Sequence, residues 1–258
     1  MSTPKERVDK LMVERGLAPT RARAQALVMA GQVFSGEQRI DKPGALLKLD
    51  TPLQLKGQDR YVSRGGYKLE AALEHFDLDV AGKVALDVGA STGGFTDCLL
   101  QRGASRVYAV DVGTHQLHEK LRGDARVISR EHVNARGLSA DVVPEPVQVV
   151  VIDVSFISLR LVLPPALAFL EPGGIVAALV KPQFEVGKGC VGKGGVVRDP
   201  VIRRRAIDEM VRFAEAECGL RVRGTIDSPI AGPAGNVEAL LVAAKPGATA
   251  APPRTDPA

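Results

Sequence analysis

Four charged residues stand at the ends of predicted elements, and their types are those that proton transfer and methyl transfer require. They are two lysines and two carboxylates: Lys68, Asp153, Lys181 and Glu238. Asp153 and Lys181 each follow an apolar run, V147-Q-V-V-V-I152 and I175-V-A-A-L-V180, so both should project from the same edge of a parallel sheet. Burying an unpaired ammonium is expensive, which indicates that Lys181 has a partner and a function.

These residues suit the methylation of a hydroxyl. A ribose hydroxyl loses its proton far above neutral pH, so its methylation needs a base or a strongly oriented hydroxyl. Lys181 can serve as the base if burial and the nearby Lys68 favour its neutral form. Asp153 and Glu238 would orient the lysines, and in-line transfer from a sulfonium would then depend on proximity and alignment. Two structural ion pairs at strand ends are the alternative that the spacing leaves open.

A glycine-rich turn after a buried strand predicts a nucleoside pocket. The strand V84-A-L-D-V88 runs into G89-A-S-T-G-G-F95, where glycines let the backbone bend tightly and approach a ligand. The order of these glycines differs from the dinucleotide fingerprint G-x-G-x-x-G. The next strand ends in Asp111, whose carboxylate can hold ribose hydroxyls. A nicotinamide-type pocket and a purely structural turn remain alternatives.

S-Adenosyl-L-methionine is the ligand that suits this pocket. The turn offers no demanding phosphate cradle, and the cationic sulfonium and ammonium of this cofactor tolerate nearby carboxylates. The predicted cofactor-binding residues are Asp87, Gly89, Ala90, Ser91, Thr92, Gly93, Gly94, Phe95, Asp111, Val112 and Asp153. No metal site is expected, because the three cysteines, Cys98, Cys190 and Cys218, share no metal-type spacing.

The elements that must position these residues alternate between helix and strand from Tyr67 onward. We predict helices over 67–76 and 199–217, and strands at 84–88, 106–111, 126–129, 147–153, 175–181, 222–227 and 237–244. This alternation predicts an α/β fold with a doubly wound, mostly parallel sheet. In such a sheet, ligands lie beyond the carboxyl ends of the strands.

The first 60 residues read as a separate, basic module. Helices over 5–15 and 21–30, followed by short strands at 33–34, 39–40 and 46–50, predict a small α+β fold. This part holds 11 Lys+Arg and 7 Asp+Glu, a net charge of 11 − 7 = +4, whereas the remaining 198 residues hold 23 of each. The asymmetry is typical of a nucleic-acid-binding module beside a neutral domain, with a merely basic surface as the alternative.

The basic module resembles the S4-like RNA-binding fold. The resemblance rests on R7-V-D-K-L-M-V-E-R-G16, T20-R-A-R-A24, G31-Q-V33 and K42-P43. It implies that Arg21, Arg23 and Gln25 face phosphates, with solvated helix charge as the alternative reading. The full set of candidate RNA-binding residues is Arg7, Arg21, Arg23, Gln25, Lys42 and Arg64.

The whole chain resembles the TlyA (hemolysin A) family of FtsJ-like ribosomal RNA 2′-O-methyltransferases. Four motifs carry this resemblance: D87-V-G-A-S-T-G-G-F-T-D97, V150-V-I-D-V-S-F-I-S-L159, V180-K-P-Q-F-E185 and S228-P-I-A-G-P-A-G-N-V-E238. It implies that the catalytic tetrad of the family falls on Lys68, Asp153, Lys181 and Glu238. It also implies S-adenosylmethionine as cofactor and cytidine in 16S and/or 23S rRNA as substrate, with rRNA or ribosomal subunits as partner. One departure is that R60-Y-V-S63 lacks the tryptophan of some relatives.

The resemblance and the element pattern together predict four segments. They are an S4-like RNA-binding domain at 5–59, a linker at 60–66, a Rossmann-like, FtsJ-like methyltransferase domain at 67–246 and a disordered tail at 247–258.

The N-terminus lacks an apolar stretch of the signal-peptide type, and no apolar run has the length of a membrane span. We therefore expect a cytoplasmic protein without stable membrane association.

The glycine-rich, basic segment 187–195 has two readings. It is either a mobile lid or RNA-contacting loop, or an inert surface loop.

Three other functions fit the sequence less well. A non-catalytic RNA-binding protein would be expected to lose the tetrad, yet all four residues are present. A membrane-active, hemolysin-like protein would need a segment capable of insertion, and none is convincing. A methyltransferase acting on bases would more naturally carry an N/D-P-P-Y/F loop or a cysteine nucleophile, whereas this chain has D153-V-S-F156.

Overall fold

The computed structural model describes residues 4–55, 60–232 and 234–247, apart from the side chain of Lys188. The chain forms two compact units, Met1–Arg60 and Tyr61–Ala258. The predicted disordered tail, apart from Gly247, lies outside the described residues. Within the part that is described, no helix is both long and apolar enough to cross a membrane.

The first unit packs two helices against short strands. Its elements are β1 (Lys5–Arg7), α1 (Val8–Glu14), α2 (Arg21–Met29), β2 (Val33–Ser35), β3 (Gln38–Arg39), β4 (Leu46–Lys48) and β5 (Gln54–Leu55). Strand β1 pairs antiparallel with β4, and β2 lies between β3 and β5. Apolar side chains of both helices, including Val8, Met12 and Leu27, form the core.

The start of the first unit differs from the sequence prediction. The predicted helix over 5–15 begins only at Val8, because Lys5, Glu6 and Arg7 pair with Leu46–Lys48 as a strand. Extended pairing satisfies the backbone groups of these residues in place of helical hydrogen bonds.

The second unit is a seven-stranded sheet with helices on both faces. Its elements are α3 (Gly65–His75), β6 (Val84–Val88), α4 (Gly94–Gln101), β7 (Arg106–Val110), α5 (Glu119–Arg122), β8 (Val127–Arg130), β9 (Val147–Ile152), α6 (Leu163–Leu167), β10 (Leu170–Val180), α7 (Pro182–Glu185), α8 (Pro200–Ala216), β11 (Arg221–Asp227) and β12 (Ala239–Ala244). The strand order is β11-β12-β10-β9-β6-β7-β8. The five strands from β10 to β8 run parallel, whereas β12 is antiparallel to both of its neighbours. The predicted α/β class with a mostly parallel sheet is confirmed.

The strands are apolar throughout because both faces of the sheet are covered. Side chains alternate between the two faces. Val149 and Val151 of β9 join the core beneath α3 and α4, whereas Val150 and Ile152 join the core beneath α6 and α8. Burial on both faces fixes the register of β9, since a shift by one residue would exchange its two sets of side chains.

The strand order reverses at β6, and this reversal fixes where a ligand can bind. β6 pairs with β7 on one side and with β9 on the other. The loops that follow β6 and β9 therefore diverge toward opposite faces and leave a crevice at the carboxyl ends, the position at which open α/β sheets bind ligands. The glycine turn follows β6, and Asp153 follows β9.

Residues 61–66, where the sequence indicated a linker, fold as part of the second unit. Tyr61 is buried, its hydroxyl donates to Glu70 at 2.9 Å, and its ring meets that of Tyr67 edge to face at 5.2 Å. The amide of Val62 donates to the buried Asp97 at 2.8 Å. An aromatic side chain embedded in the core explains why this segment is ordered despite its polar, glycine-bearing sequence.

Candidate active site

Two ion pairs lie at the carboxyl edge of the sheet. Lys181 Nζ lies 2.6 Å from Asp153 Oδ1, and Lys68 Nζ donates to Glu238 Oε2 at 2.5 Å. Asp153 and Lys181 directly follow the neighbouring parallel strands β9 and β10, so their proximity follows from the register of these strands. Lys68 comes from α3, and Glu238 directly precedes β12.

The site takes both lysines largely out of water. Lys68 is 7% exposed, Lys181 is 8% exposed and Glu238 is 1% exposed. Buried charges are tolerated only when they are paired, and removing one partner leaves the other uncompensated. Each carboxylate is therefore required by its lysine for stability as well as for orientation.

Glu238 retains one free oxygen. Its Oε1 is buried and has no hydrogen-bond partner among the residues that the structure describes. The loop at Gly232 passes so close that a Cβ at this position would lie 2.6 Å from Oε1. A glycine is thus needed there, and the free oxygen can accept a further hydrogen bond.

A cavity of about 340 Å³ is lined by all four charged residues. The wall also contains Ser63 and Arg64 before α3, residues of the glycine turn, and Ile230 and Ala231 of the loop before β12. Its volume is that of a small-ligand site. The tetrad thus faces an accessible space that a reacting group can enter.

A second cavity, of about 400 Å³, adjoins the first. The two share four wall residues, which are Gly89, Ser91, Asp153 and Ser155. The rest of the second wall combines the carboxylate of Asp111 and the amide of Asn134 with apolar side chains of Val112, Val133, Val154 and Ile157. Apolar walls with a few polar groups are typical of a nucleoside site.

The glycine turn is held by contacts at both ends. Gly89 has φ +83°, and a Cβ there would lie 2.5 Å from the carbonyl oxygen of Asp153. Only glycine allows the ends of β6 and β9 to approach this closely. The carboxylate of Asp111 accepts hydrogen bonds from the amides of Ser91 at 2.8 Å and Gly113 at 2.7 Å, which fixes the turn beside β7.

Nine of the predicted cofactor-binding residues line one of the two cavities. They are Gly89, Ala90, Ser91, Thr92, Gly94, Phe95, Asp111, Val112 and Asp153. Gly93 lines neither. A Cβ there would lie 2.2 Å from Leu121 Cδ1 and 2.8 Å from Leu117 Cδ1, so the missing side chain at Gly93 makes room for the packing of α5.

Asp87 also lines neither cavity. It is fully buried beneath the glycine turn, where it accepts a hydrogen bond from Thr96 Oγ1 at 2.6 Å. Burial raises the pKa of Asp87 to about 7, against the opposing effect of the Thr96 hydroxyl. The residue thus supports the turn from below and does not face the ligand space.

Two further residues bear on the site and were not predicted from the sequence. Ser155 lines both cavities and accepts a hydrogen bond from Lys181 at 2.9 Å. Asn236, which is buried, accepts from the amide of Val197 at 2.9 Å and donates to the carbonyl of Gly195 at 2.8 Å. Both lie inside motifs that the sequence analysis quoted, which is the signal that could have found them.

Asn236 bears on the glycine-rich segment 187–195. Its two hydrogen bonds fasten Gly195 and Val197 to the loop that carries Glu238, two residues further on. One end of the segment is therefore attached to the active-site edge.

A buried carboxylate organises the first unit. Asp9 accepts hydrogen bonds from Arg7 at 2.9 Å, Arg21 at 3.2 Å and Gln25 at 2.8 Å. These bonds, from Arg7 above all, hold the pKa of Asp9 well below its usual range. Of the residues expected to face phosphates, Arg21 and Gln25 are thus engaged within the unit.

The other candidate RNA-binding residues are placed differently. Arg23 and Lys42 are exposed on the first unit. Arg64 is exposed on the second unit and lines the cavity of the tetrad.

Comparison with known proteins extends these findings. The family model for FtsJ-like methyltransferases matches residues 61–245, and that for the S4 domain matches residues 6–51. YqxC of Bacillus subtilis (strain 168), named as an rRNA methyltransferase, is 52% identical over 93% of this chain and 86% of its own length. The 16S/23S rRNA (cytidine-2′-O)-methyltransferase TlyA of Mycobacterium tuberculosis (strain H37Rv) is 47% identical over 91% of this chain and 88% of its own. A solved structure described as a hemolysin from Streptococcus thermophilus is 48% identical, with a TM-score of 0.72 over 95% of this chain and 90% of that one.

The match over the second unit makes it an FtsJ-like methyltransferase domain, with the fold of S-adenosylmethionine-dependent methyltransferases. Because the similarity extends through the S4 domain, the chain belongs to the TlyA, or hemolysin A, family.

Proposed function

We propose that this protein uses S-adenosylmethionine to methylate the ribose 2′-hydroxyl of a cytidine in 16S and/or 23S rRNA. The observation that carries the proposal is the Lys181–Asp153 ion pair at the junction of two cavities, one of nucleoside character and one lined by the whole tetrad. The choice of rRNA and cytidine rests on similarity to the TlyA protein of M. tuberculosis, whose name states that substrate.

Three features of the second cavity support the binding of S-adenosylmethionine there. Both oxygens of Asp111 accept backbone amides, and each retains a lone pair for a ribose hydroxyl. Val112, Val133 and Ile157 offer apolar surface for a purine. The carboxylate of Asp153, at the junction of the cavities, suits a cationic group. When bound there, the cofactor supplies an electrophilic methyl group on a sulfonium.

The first cavity would hold the acceptor nucleotide. Lys181, in its neutral form, would accept the proton of the 2′-hydroxyl while the hydroxyl oxygen takes the methyl group. Asp153 would orient Lys181 and stabilise the ammonium that forms. Lys68, held by Glu238, would keep a positive charge beside the oxygen as it becomes negative. In this mechanism the free Oε1 of Glu238 is available to a neighbouring hydroxyl.

An exposed aromatic residue at the mouth of the second cavity fits an RNA substrate. Phe156 is 91% exposed, has φ +65°, and lies with its ring centroid 5.3 Å from that of Phe184. A bulky residue in the left-handed region is strained, and such strain is concentrated at functional sites. An exposed ring can stack against a nucleobase.

The direct test of the proposal is in vitro methylation of ribosomal subunits. Subunits from a strain that lacks the gene would be incubated with the protein and S-adenosylmethionine, and the rRNA digested to nucleosides for mass spectrometry. We expect new 2′-O-methylcytidine. Methylation of a base, or no methylation of either subunit, would contradict the proposal.

The role of Lys181 can be tested by substitution. Lys181→Ala should lower kcat by about 10²–10⁴-fold, because proton transfer is lost, while cofactor and RNA affinities stay near wild type. Lys181→Arg should do little better, since a guanidinium stays protonated at any working pH. Lys83→Ala, at the opposite edge of the sheet, is the matched control. Near-normal turnover by Lys181→Arg would leave Lys181 as an electrostatic positioner and not a base.

The position of the cofactor can be tested with two carboxylates that follow adjacent strands. Asp111→Asn should weaken S-adenosylmethionine binding about 10–100-fold, because charge-assisted hydrogen bonds to the ribose and to the turn are lost. Glu131 follows β8, likewise accepts a backbone amide, from His115 at 2.8 Å, and is absent from the wall of the second cavity. Glu131→Gln should therefore change affinity less than twofold. Equal losses in calorimetry would remove the cofactor from this cavity.

The RNA-binding face of the S4 domain is tested with cations that are not engaged by Asp9. Removing the charges of Arg23 and Lys42 together should weaken rRNA binding and lower the slope of log K against log salt by about 1–2, since two phosphate contacts are lost. Cofactor affinity should not change. Arg39, which is exposed but paired with Asp41 at 2.6 Å, supplies the control variant Arg39→Ala. Unchanged affinity and slope in filter binding would show that these two cations do not contact the rRNA.

A further inference from the structure

Lys181 has a second side-chain partner besides its ion pair. Its Nζ lies 2.6 Å from Asp153 Oδ1 and donates to Ser155 Oγ at 2.9 Å. Ser155 is not one of the four tetrad residues, yet it lines both cavities at their junction. The hydroxyl thus sits where the acceptor oxygen and the methyl group would have to meet.

The chemistry of an amine makes this second partner significant. A neutral lysine has two N–H donors and one lone pair, whereas the ammonium has three donors and none. If Asp153 and Ser155 accept the two N–H groups, the lone pair has only the remaining direction, and the amine cannot turn about its Cε–Nζ bond without losing a hydrogen bond. With Asp153 as its one acceptor, the amine would keep that rotational freedom.

We propose that Ser155 is the positioning residue that directs the lone pair of Lys181 toward the acceptor hydroxyl. The inference rests on the proposed function and deepens it, because it assigns a residue outside the tetrad to the orientation of the base. Ser155 transfers no proton. It acts through Lys181.

The loop that carries Ser155 is held rigidly enough for this role. Glu185 accepts hydrogen bonds from Ser158 Oγ at 2.6 Å and from the amide of Leu159 at 2.9 Å. Glu185 ends α7, which begins directly after Lys181. Lys181 and Ser155 therefore lie on two segments that are joined to each other, a few residues away, by the hydrogen bonds of Glu185. A site on fixed supports keeps its geometry without reorganising during the reaction.

The hydrogen bond also restrains the amine toward other electrophiles. An N–H group that donates to Ser155 must give up this bond before Nζ can attack a reagent from another direction. Removing the hydroxyl should therefore make Lys181 react faster with a small amine reagent and yet slow methyl transfer, because the lone pair is no longer directed.

The charges around Lys181 must be kept constant in the test. Arg64, Lys68, Asp153 and Glu238 line the same cavity as Lys181, Asp87 lies in β6, and Glu185 ends α7. Ser155→Ala and Ser155→Thr leave all of these charges in place. Threonine restores the hydroxyl and thus serves as the conservative variant.

The first measurement does not depend on catalysis. The rate of acetylation of Lys181 by an amine-reactive reagent would be measured at one pH by residue-resolved mass spectrometry in the full-length protein. Ser155→Ala should raise this rate about 3–10-fold relative to wild type, and Ser155→Thr should return it. Lys83, remote from the edge, should react at the same rate in all three proteins. An unchanged or lowered rate for Lys181 in Ser155→Ala would overturn the proposal.

The second measurement is the kinetics of methyl transfer to ribosomal subunits. Ser155→Ala should lower the plateau of kcat about 10-fold, with KM for the subunits and Kd for S-adenosylmethionine within about twofold of wild type. Ser155→Thr should recover most of the rate. A wild-type kcat in Ser155→Ala would overturn the positioning role even if the acetylation rate rose. Absence of methylation by the wild type would defeat the proposed function instead, and the acetylation result would still decide the Lys181–Ser155 contact.

Discussion

The candidate active site depends on the free-energy cost of burying two ammonium groups at one edge of a sheet. Lys68 and Lys181 are each less than a tenth exposed, and each is matched by one carboxylate. An unpaired buried charge would cost several kcal/mol, so neither pair can lose a member without a structural penalty. The same burial makes the electrostatic effect of each group on a reacting hydroxyl larger than it would be in water.

The fold supplies these four residues from elements that are far apart in the chain. Asp153 and Lys181 come together because β9 and β10 are parallel neighbours, whereas Lys68 and Glu238 are separated by 170 positions. Loops then lock the arrangement. The site is therefore a product of the completed sheet and not of any single segment.

Hydrogen bonds of two side chains, Glu185 and Asn236, hold the loops at this edge together. Glu185 connects the loop after β10 with the loop after β9, and Asn236 connects the segment at Gly195 and Val197 with the loop before β12. Neither residue lines either of the two cavities. Their hydrogen bonds explain why the motifs extend beyond the four residues of the tetrad.

The fold class and two of the four charged residues could be predicted from the sequence for a physical reason. Apolar runs that end in Asp153 and Lys181 identify both the strands and their ligand-bearing ends, whereas Lys68 and Glu238 were assigned to the tetrad through the family resemblance. The pairing of each lysine with its carboxylate could not be predicted, because it depends on where α3 and β12 pack. The same limit applies to Gly93, whose missing side chain makes room for Leu117 and Leu121.

The first unit shows a second limit of pattern reading. A pattern of cations on a helix identifies a basic face, but it does not reveal which cations a buried carboxylate will engage. Asp9, two positions after Arg7 and part of α1, accepts hydrogen bonds from Arg21 and Gln25 of α2. The buried acid in the motif was the available signal, and its role becomes evident only when both helices are packed.

We propose that methyl transfer takes place where the two cavities meet, and a crystal structure of the protein with S-adenosylhomocysteine would decide this. We expect adenosine in the cavity of Asp111 and Val133, and the sulfur at the junction lined by Gly89, Asp153 and Ser155, with the Lys181–Asp153 pair intact. A ligand bound elsewhere, or a sulfur directed away from Lys181, would rule out methyl transfer at this junction.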